Sequence, residues 1–191
     1  MESPKKFNIA IFASGNGTNA EAIIKYFLGN EQISVCALLS NNPSAKASQR
    51  AENLDVPSYI FDKPQFLNGS MILDVLKKAQ ATHIVLAGFL WLIPDYLINT
   101  YPIINIHPSL LPKFGGKGMY GSKIHHAVKE AGEFITGITI HEVNGNFDEG
   151  KILFQASIAI ETSDSIEQIG NKVHALEYQH YPVVIENWIL K

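Results

Sequence analysis

Asn105 and His107 lie two residues apart at the end of the apolar run Ile103-Ile104-Asn105-Ile106-His107, which Pro108 stops. In an extended strand such residues point to the same face, so an amide and an imidazole converge on one atom. An amide that donates hydrogen bonds, beside a ring that changes charge near pH 7, suits acyl chemistry in which a carbonyl oxygen becomes an oxyanion. A carboxylate from elsewhere would complete such a centre. Asp148, in the Gly- and Asn-rich turn Asn144-Gly145-Asn146-Phe147-Asp148-Glu149-Gly150, is the candidate: folded over the sheet edge, it would hold the imidazolium form of His107 and raise its pKa. A metal site built from His107, His141 and Asp148 is conceivable, but the chain carries no compact ligand motif such as H-E-x-x-H, so no metal is expected.

A second chemical feature lies near the N-terminus. Ser14-Gly15-Asn16-Gly17-Thr18-Asn19 separates the apolar run over 7–13 from a helix-like stretch over 20–28. A glycine loop that opens a helix offers backbone N–H groups and the positive end of the helix dipole to an anion. With Ala20 the loop also fits the looser dinucleotide pattern, but the end of the next strand reads Ser40-Asn41-Asn42, without the carboxylate that a nicotinamide ribose requires. A simpler phosphate ligand is the better reading, with a tight, ligand-free turn as the alternative. Gly88-Phe89-Leu90-Trp91-Leu92-Ile93-Pro94 follows another strand. It either walls a slot for a flat aromatic ligand or packs beneath the following helix. The glycine-rich stretch 113–121, with Lys113 and Lys117, reads as a loop able to meet an anion.

The elements that must position these groups alternate. Strands are expected over 7–13, 33–39, 56–60, 82–87 and 103–107, with helices over 20–28, 45–54, 71–79 and 122–131 between or after them. Continuous apolar strands in this order predict an α/β fold, a doubly wound, mostly parallel sheet covered on both faces. Toward the C-terminus, 136–143 and 151–155 read as an antiparallel hairpin, followed by a last strand over 156–160. A helix capped by Asp164 or Ser165 then runs over 166–178, and Pro182 is expected to kink it or restart it as a second segment over 183–190. His83, His125 and His126 read as structural, surface or boundary residues.

Composition narrows the class. Hydrophobic residues make up 46% and charged residues 17% of the 191, as in an ordinary globular chain, and one domain over 1–191 is expected. The formal charge of −3 supplies no basic field for nucleic acid. Cys36, the single cysteine, lies in an apolar run and is expected to pack as a small hydrophobe in a reducing, cytoplasmic setting. Met1-Glu2-Ser3-Pro4-Lys5-Lys6 carries no long apolar segment for targeting or membrane insertion.

Taken together, Ser14-Gly15-Asn16-Gly17-Thr18-Asn19, Ala87-Gly88-Phe89-Leu90, Asn105-Ile106-His107-Pro108-Ser109-Leu110-Leu111-Pro112, Gly137-Ile138-Thr139-Ile140-His141, Asp148-Glu149-Gly150 and Glu177 ahead of Tyr181-Pro182 resemble the folate-dependent phosphoribosylglycinamide formyltransferases of purine biosynthesis, over nearly the whole chain. The resemblance implies a Rossmann-like formyltransferase fold, 10-formyltetrahydrofolate as cosubstrate, and transfer of its formyl group to the amine of glycinamide ribonucleotide. It implies that Gly17, Thr18 and Asn19 hold the ribonucleotide phosphate and Glu177 the ribose hydroxyls. Leu90, Trp91, Leu92 and Ile93, with Asn105, would bind the folate, and Asn105, His107 and Asp148 would be catalytic. It further implies small-molecule partners, no nucleic acid or membrane, and a monomer or homodimer. Trp91 stands where the family often has Arg, and 66–70 lacks the family's second Arg. The other readings are a formyltransferase for another amine, such as an amino-sugar nucleotide, and a ligand-binding protein of the same fold without the chemistry.

Overall fold

The computed structural model describes residues 5–191, so the reading of residues 1–4 lies outside the described residues. Seven strands form one sheet: β1 (Phe7–Phe12), β2 (Ile33–Ser40), β3 (Ser58–Ile60), β4 (His83–Leu86), β5 (Ile103–His107), β6 (Ile135–Glu142) and β7 (Ile152–Ala159), in the order β3-β2-β1-β4-β5-β6-β7. The first five are mutually parallel, while β6 runs antiparallel to β5 and β7 antiparallel to β6. This is the doubly wound, mostly parallel sheet with a C-terminal antiparallel hairpin that the strand pattern predicts. The strand order reverses at β1 and β4, so a crevice opens outside their C-terminal ends.

Alternation along the strands sorts the core into two layers. Ile9 and Ile11, Val85, Ile104 and Ile106, and Ile138 and Ile140 pack on one face with α1 (Thr18–Phe27), α2 (Lys46–Glu52) and α7 (Ile166–Ile189). Ala10 and Phe12, Ile84 and Leu86, and Ile103 pack on the other with α3 (Lys63–Asn68), α4 (Ser70–Lys78) and α5 (Asp95–Ile98). Helix α6 (Ser122–Glu130) forms a smaller cluster with Ile160 and Ile169. Cys36 lies half-buried, its thiol toward the Ile9 carbonyl at 3.3 Å, and burial pushes its pKa up to about 11, which fits a packing role.

Several expectations are corrected. Residues 166–189 form one 24-residue helix running through Pro182, not two segments. Proline forfeits one backbone hydrogen bond, but Ile169, Val173, Glu177, Tyr181, Ile185 and Ile189 recur every fourth residue on one buried face. Tyr181, fully buried, donates its hydroxyl to the carbonyls of Leu86 and Ile104 at 2.9 and 3.3 Å. Burial against the sheet thus holds both sides of the proline in register. The expected break between 155 and 156 is absent too: β7 is continuous because β6 pairs with it along its length. Helix α3 lies outside the expected elements, although Asp62 and Gln65 form a reciprocal capping box with Pro64 in the first turn. His125 is buried rather than at the surface.

Candidate active site

The site starts from β5. Ile104 and Ile106 fill the layer under α7, so Asn105 and His107 turn to the opposite face. In the antiparallel pairing with β6, His141 stands directly across from Asn105 and Thr139 across from His107. Cross-strand partners share a face, and Asn105 Nδ2 lies 3.2 Å from His141 Nε2. The 2.8 Å contact from His141 Nδ1 to the Glu142 carbonyl requires a proton on Nδ1, because a carbonyl only accepts. With the proton on Nδ1, Nε2 is the nitrogen that accepts from the Asn105 amide. One Asn105 N–H is committed to this bond and the other remains free.

A backbone carbonyl likewise orients His107. Its Nε2 lies 2.8 Å from the Phe114 carbonyl and must donate, which leaves Nδ1 facing Asp148 Oδ2 at 3.4 Å. Asp148 adopts a left-handed backbone (φ 59) that brings its carboxylate between two imidazoles, with Oδ1 at 3.6 Å from His141 Nε2. The Gly116 N–H donates to Oδ2 at 2.9 Å, tying this loop to the one that supplies the Phe114 carbonyl. Asn105, His107 and Asp148 are thus brought together, and His141 joins them.

The electrostatics differ from expectation in one respect. Burial drives the His107 pKa below its usual value; the Asp148 carboxylate and the Phe114 carbonyl pull the other way without overcoming it, and His141 adds a little to the fall. Asp148 therefore favours the imidazolium, as expected, but the net shift is downward. Its own carboxyl is pushed up by burial, yet His141, His107 and the Gly116 N–H together hold it below the ordinary carboxylate range. The resting pair is a neutral imidazole beside a carboxylate.

The centre opens into a cavity of about 980 Å³. One end is the β1–α1 turn. Gly17, the residue before α1, has φ 75 and gives the helix no side-chain cap, so its first N–H groups are left for a ligand. A Cβ on Gly17 would meet the Ala47 Cα at 2.4 Å, which explains why glycine stands there. Ser14 staples this turn to the β4 loop: its N–H donates to the Gly88 carbonyl and its hydroxyl accepts from the Leu90 N–H, both at 3.1 Å. Asn19 Nδ2 donates to Glu177 Oε2 at 2.9 Å. Glu177 is 4% exposed, and burial raises its pKa to about 7, with the Asn19 bond pulling slightly down. Gly17, Thr18, Asn19 and Glu177 thus share one end of the cavity.

The β4 loop is divided between the cavity wall and the core. Phe89 and Trp91 join Phe61 and Phe66 in an aromatic cluster, and Ile93 is buried, whereas Leu90 and Leu92 are 45% and 41% exposed at the cavity wall. Lys63 Nζ sits 4.3 Å over the Trp91 ring. Lys113 is committed to Glu133 at 2.7 Å, while Lys117 lines the cavity. Among the described residues no group of three or more His, Cys, Asp or Glu is disposed to hold a metal ion, and no helix is long and apolar enough to cross a membrane.

Sequence reasoning missed His141 as a partner of Asn105, Ser14 as a staple, and His125 and His174 as cavity-lining groups. The pairing register needed for His141 is not written in any short motif. His125 is neutral, its pKa lowered to about 4 by burial and by the nearby His174 and His126.

Residues 7–185 match the family described as formyl transferase. The chain is 39% identical over 189 residues to the phosphoribosylglycinamide formyltransferase of Bacillus subtilis, covering 95% of this chain and 93% of that protein. It is 36% identical over 190 residues to the chloroplastic phosphoribosylglycinamide formyltransferase of Arabidopsis thaliana, with 95% of this chain aligned. The chain spans only 65% of that plant protein's length. The crystal structure of phosphoribosylglycinamide formyltransferase from Bacillus halodurans superposes with a TM-score of 0.86 at 34% identity, over 96% of each chain. These matches cover the β1–α1 turn, the β5 edge and α7 alike, and the chain belongs to the formyl transferase family, among the phosphoribosylglycinamide formyltransferases.

Proposed function

We propose that the protein transfers a formyl group from 10-formyltetrahydrofolate to the amine of 5-phosphoribosylglycinamide, a step of de novo purine (IMP) biosynthesis, acting in the cytoplasm as a single domain, monomeric or homodimeric. The observation that carries this reading is one cavity lined together by the uncapped N-terminus of α1, by the partly exposed apolar residues Leu90 and Leu92, and by Asn105, His107 and Asp148.

The formyl-folate supplies an activated carbonyl carbon; the chain supplies everything around it. The free N–H of Asn105 donates to the carbonyl oxygen and strengthens as negative charge develops there. Neutral His107 takes the proton that the attacking amine loses, on Nδ1, and Asp148 Oδ2 holds the resulting imidazolium. That proton then passes to the leaving folate nitrogen, returning His107 to its resting state. His141 orients the Asn105 amide. The N–H groups of Gly17, Thr18 and Asn19 receive the phosphate and Glu177 the ribose hydroxyls, and Leu90, Trp91, Leu92 and Ile93 wall the pterin.

The test follows release of deformylated folate from 10-formyltetrahydrofolate with and without glycinamide ribonucleotide. Release that requires the ribonucleotide supports the proposal. Release without any amine would mean hydrolysis, and release with an amino-sugar nucleotide in preference would overturn the acceptor.

A further inference from the structure

The turn after β1 is held from outside by one chain of donors. The Asn42 side chain donates to the Ser14 carbonyl at 3.1 Å, and the Ala47 N–H to the Gly15 carbonyl at 3.2 Å. The Arg50 Nε–H donates to the Asn16 carbonyl at 2.9 Å, and the Glu21 N–H to the Gly17 carbonyl at 2.9 Å. Four successive carbonyls are therefore engaged, three of them by residues beyond β2. A peptide whose carbonyl is drawn one way presents the N–H of the next residue the other way. Fixing the Asn16 and Gly17 carbonyls sets the direction of the Gly17 and Thr18 N–H groups, two of the three assigned to the phosphate, as an anion-binding nest requires.

Arg50 is the member whose chemistry exceeds plain packing. It lies in the last turn of α2 and reaches the turn with two arms: Nε to the Asn16 carbonyl and Nη2 toward Asn16 Oδ1 at 3.5 Å. The third, Nη1, pairs with Glu21 in the first turn of α1. Glu21 also pairs with Lys25 at 2.6 Å, and the two cations hold its carboxyl below the ordinary range. The Arg50 charge is thus met by a carboxylate, and the group spans the turn and the helix it opens like a bracket.

We propose that Arg50 is a positioning residue for the phosphate end of the substrate: it acts by the forked geometry of its guanidinium on the Asn16 peptide and Glu21, not by its charge on the anion. The proposal rests on the reading of the β1–α1 turn as the phosphate site. A lysine keeps the charge but has no rigid fork to reach both partners.

The experiment titrates ribose 5-phosphate into the wild-type protein, Arg50→Lys, Arg50→Ala and Glu21→Gln, and measures KM for glycinamide ribonucleotide and for 10-formyltetrahydrofolate in each. Both Arg50 variants are expected to bind ribose 5-phosphate about tenfold more weakly or worse, the scale of a lost hydrogen bond from a charged donor. The ribonucleotide KM should rise in step, while the folate KM moves less than about twofold, since its wall lies on the other side of β1. Glu21→Gln, which frees one arm, is expected to weaken binding by a smaller factor. A lysine variant that binds like wild type, or tighter binding in Glu21→Gln, would show that charge rather than geometry matters and overturn the proposal. Equal losses in both KM values would reduce Arg50 to general scaffolding and also overturn it. If wild type itself neither binds ribose 5-phosphate nor is inhibited by it competitively with the ribonucleotide, the phosphate reading of the turn fails and the inference falls with it.

Discussion

Glu177 is a carboxylate placed where a carboxylate is costly, and its replacement by glutamine yields a stability difference with a definite pH signature. Burial raises its pKa from 4.5 to about 7 in the folded protein. The unfolded chain binds a proton only below the lower value, so the folded state carries a penalty that is fully developed above pH 7 and is relieved as pH falls and Glu177 protonates. At about 1.36 kcal/mol per unit, the shift corresponds to about 3 kcal/mol at pH 8 and less than about 1 kcal/mol at pH 5. A glutamine at this position has no charge to bury and can still accept from Asn19 through its amide oxygen. Glu177→Gln should therefore be more stable than wild type at pH 8, with the advantage shrinking by about 2–3 kcal/mol between pH 8 and pH 5. A donor left unpaired on the new amide would lower the whole curve by about 1 kcal/mol without altering its slope. Urea unfolding of both proteins at several pH values, with equal m-values, measures this directly. Parallel curves across that range would refute the reasoning, because they would mean that Glu177 stays ionised in the folded state at no cost. Ribonucleotide affinity should fall in the same variant, so the position would trade stability for binding.

His107→Ala should abolish turnover and Asn105→Ala should lower kcat on the order of 10²-fold, measured by folate release at saturating substrates. Asp148→Asn removes the group that opposes burial at His107, so the His107 pKa should fall further; an NMR titration of the imidazole, wild type against variant, checks the direction. A rise would contradict the assigned geometry. Tyr181→Phe removes a fully buried hydroxyl that bridges the Leu86 and Ile104 carbonyls and should cost about 1–3 kcal/mol in urea unfolding. Gly17→Ala combines a φ of 75 with a close approach to Ala47, so it should displace the turn and raise the ribonucleotide KM, whereas Gly15→Ala, with open space around its Cβ, should not disturb the backbone.

The parallel strands are legible in the sequence because helices cover both faces of the sheet, so residues 9–13 and 84–87 read as unbroken apolar runs and 103–106 as a run broken only at Asn105. Within β5, Asn105 and His107 interrupt that run with the right period, and the edge they mark is the edge of the cavity. Helix α3 escapes notice because its six residues hold no apolar period, although Asp62-x-x-Gln65 is a capping signature. Glu177 is a charged residue on an otherwise apolar stripe recurring every fourth position, a visible anomaly whose partner, Asn19, lies 158 residues away and is not. The pairing of His141 with Asn105 depends on strand register, and the net fall in the His107 pKa on how deeply two loops bury it. Both are sums over distant segments and have no local trace.

The groups around the cavity differ in what carries them. Asn105, His107 and His141 sit on interior strands, while Asp148 reaches them from a turn of left-handed backbone and one end of the cavity is lined by the β1–α1 turn and by α7. Over evolutionary time these two kinds of attachment are exposed to change unequally. A substitution in the strands disturbs the core layer that its side chain joins, so the β5 and β6 groups are held by the packing on either side of the sheet. The turn, the glycine-rich stretch 115–121 and the outer half of α7 can be rebuilt without reopening the sheet. A chain of this architecture can thus change what its cavity admits through its periphery while keeping the strand-borne centre intact.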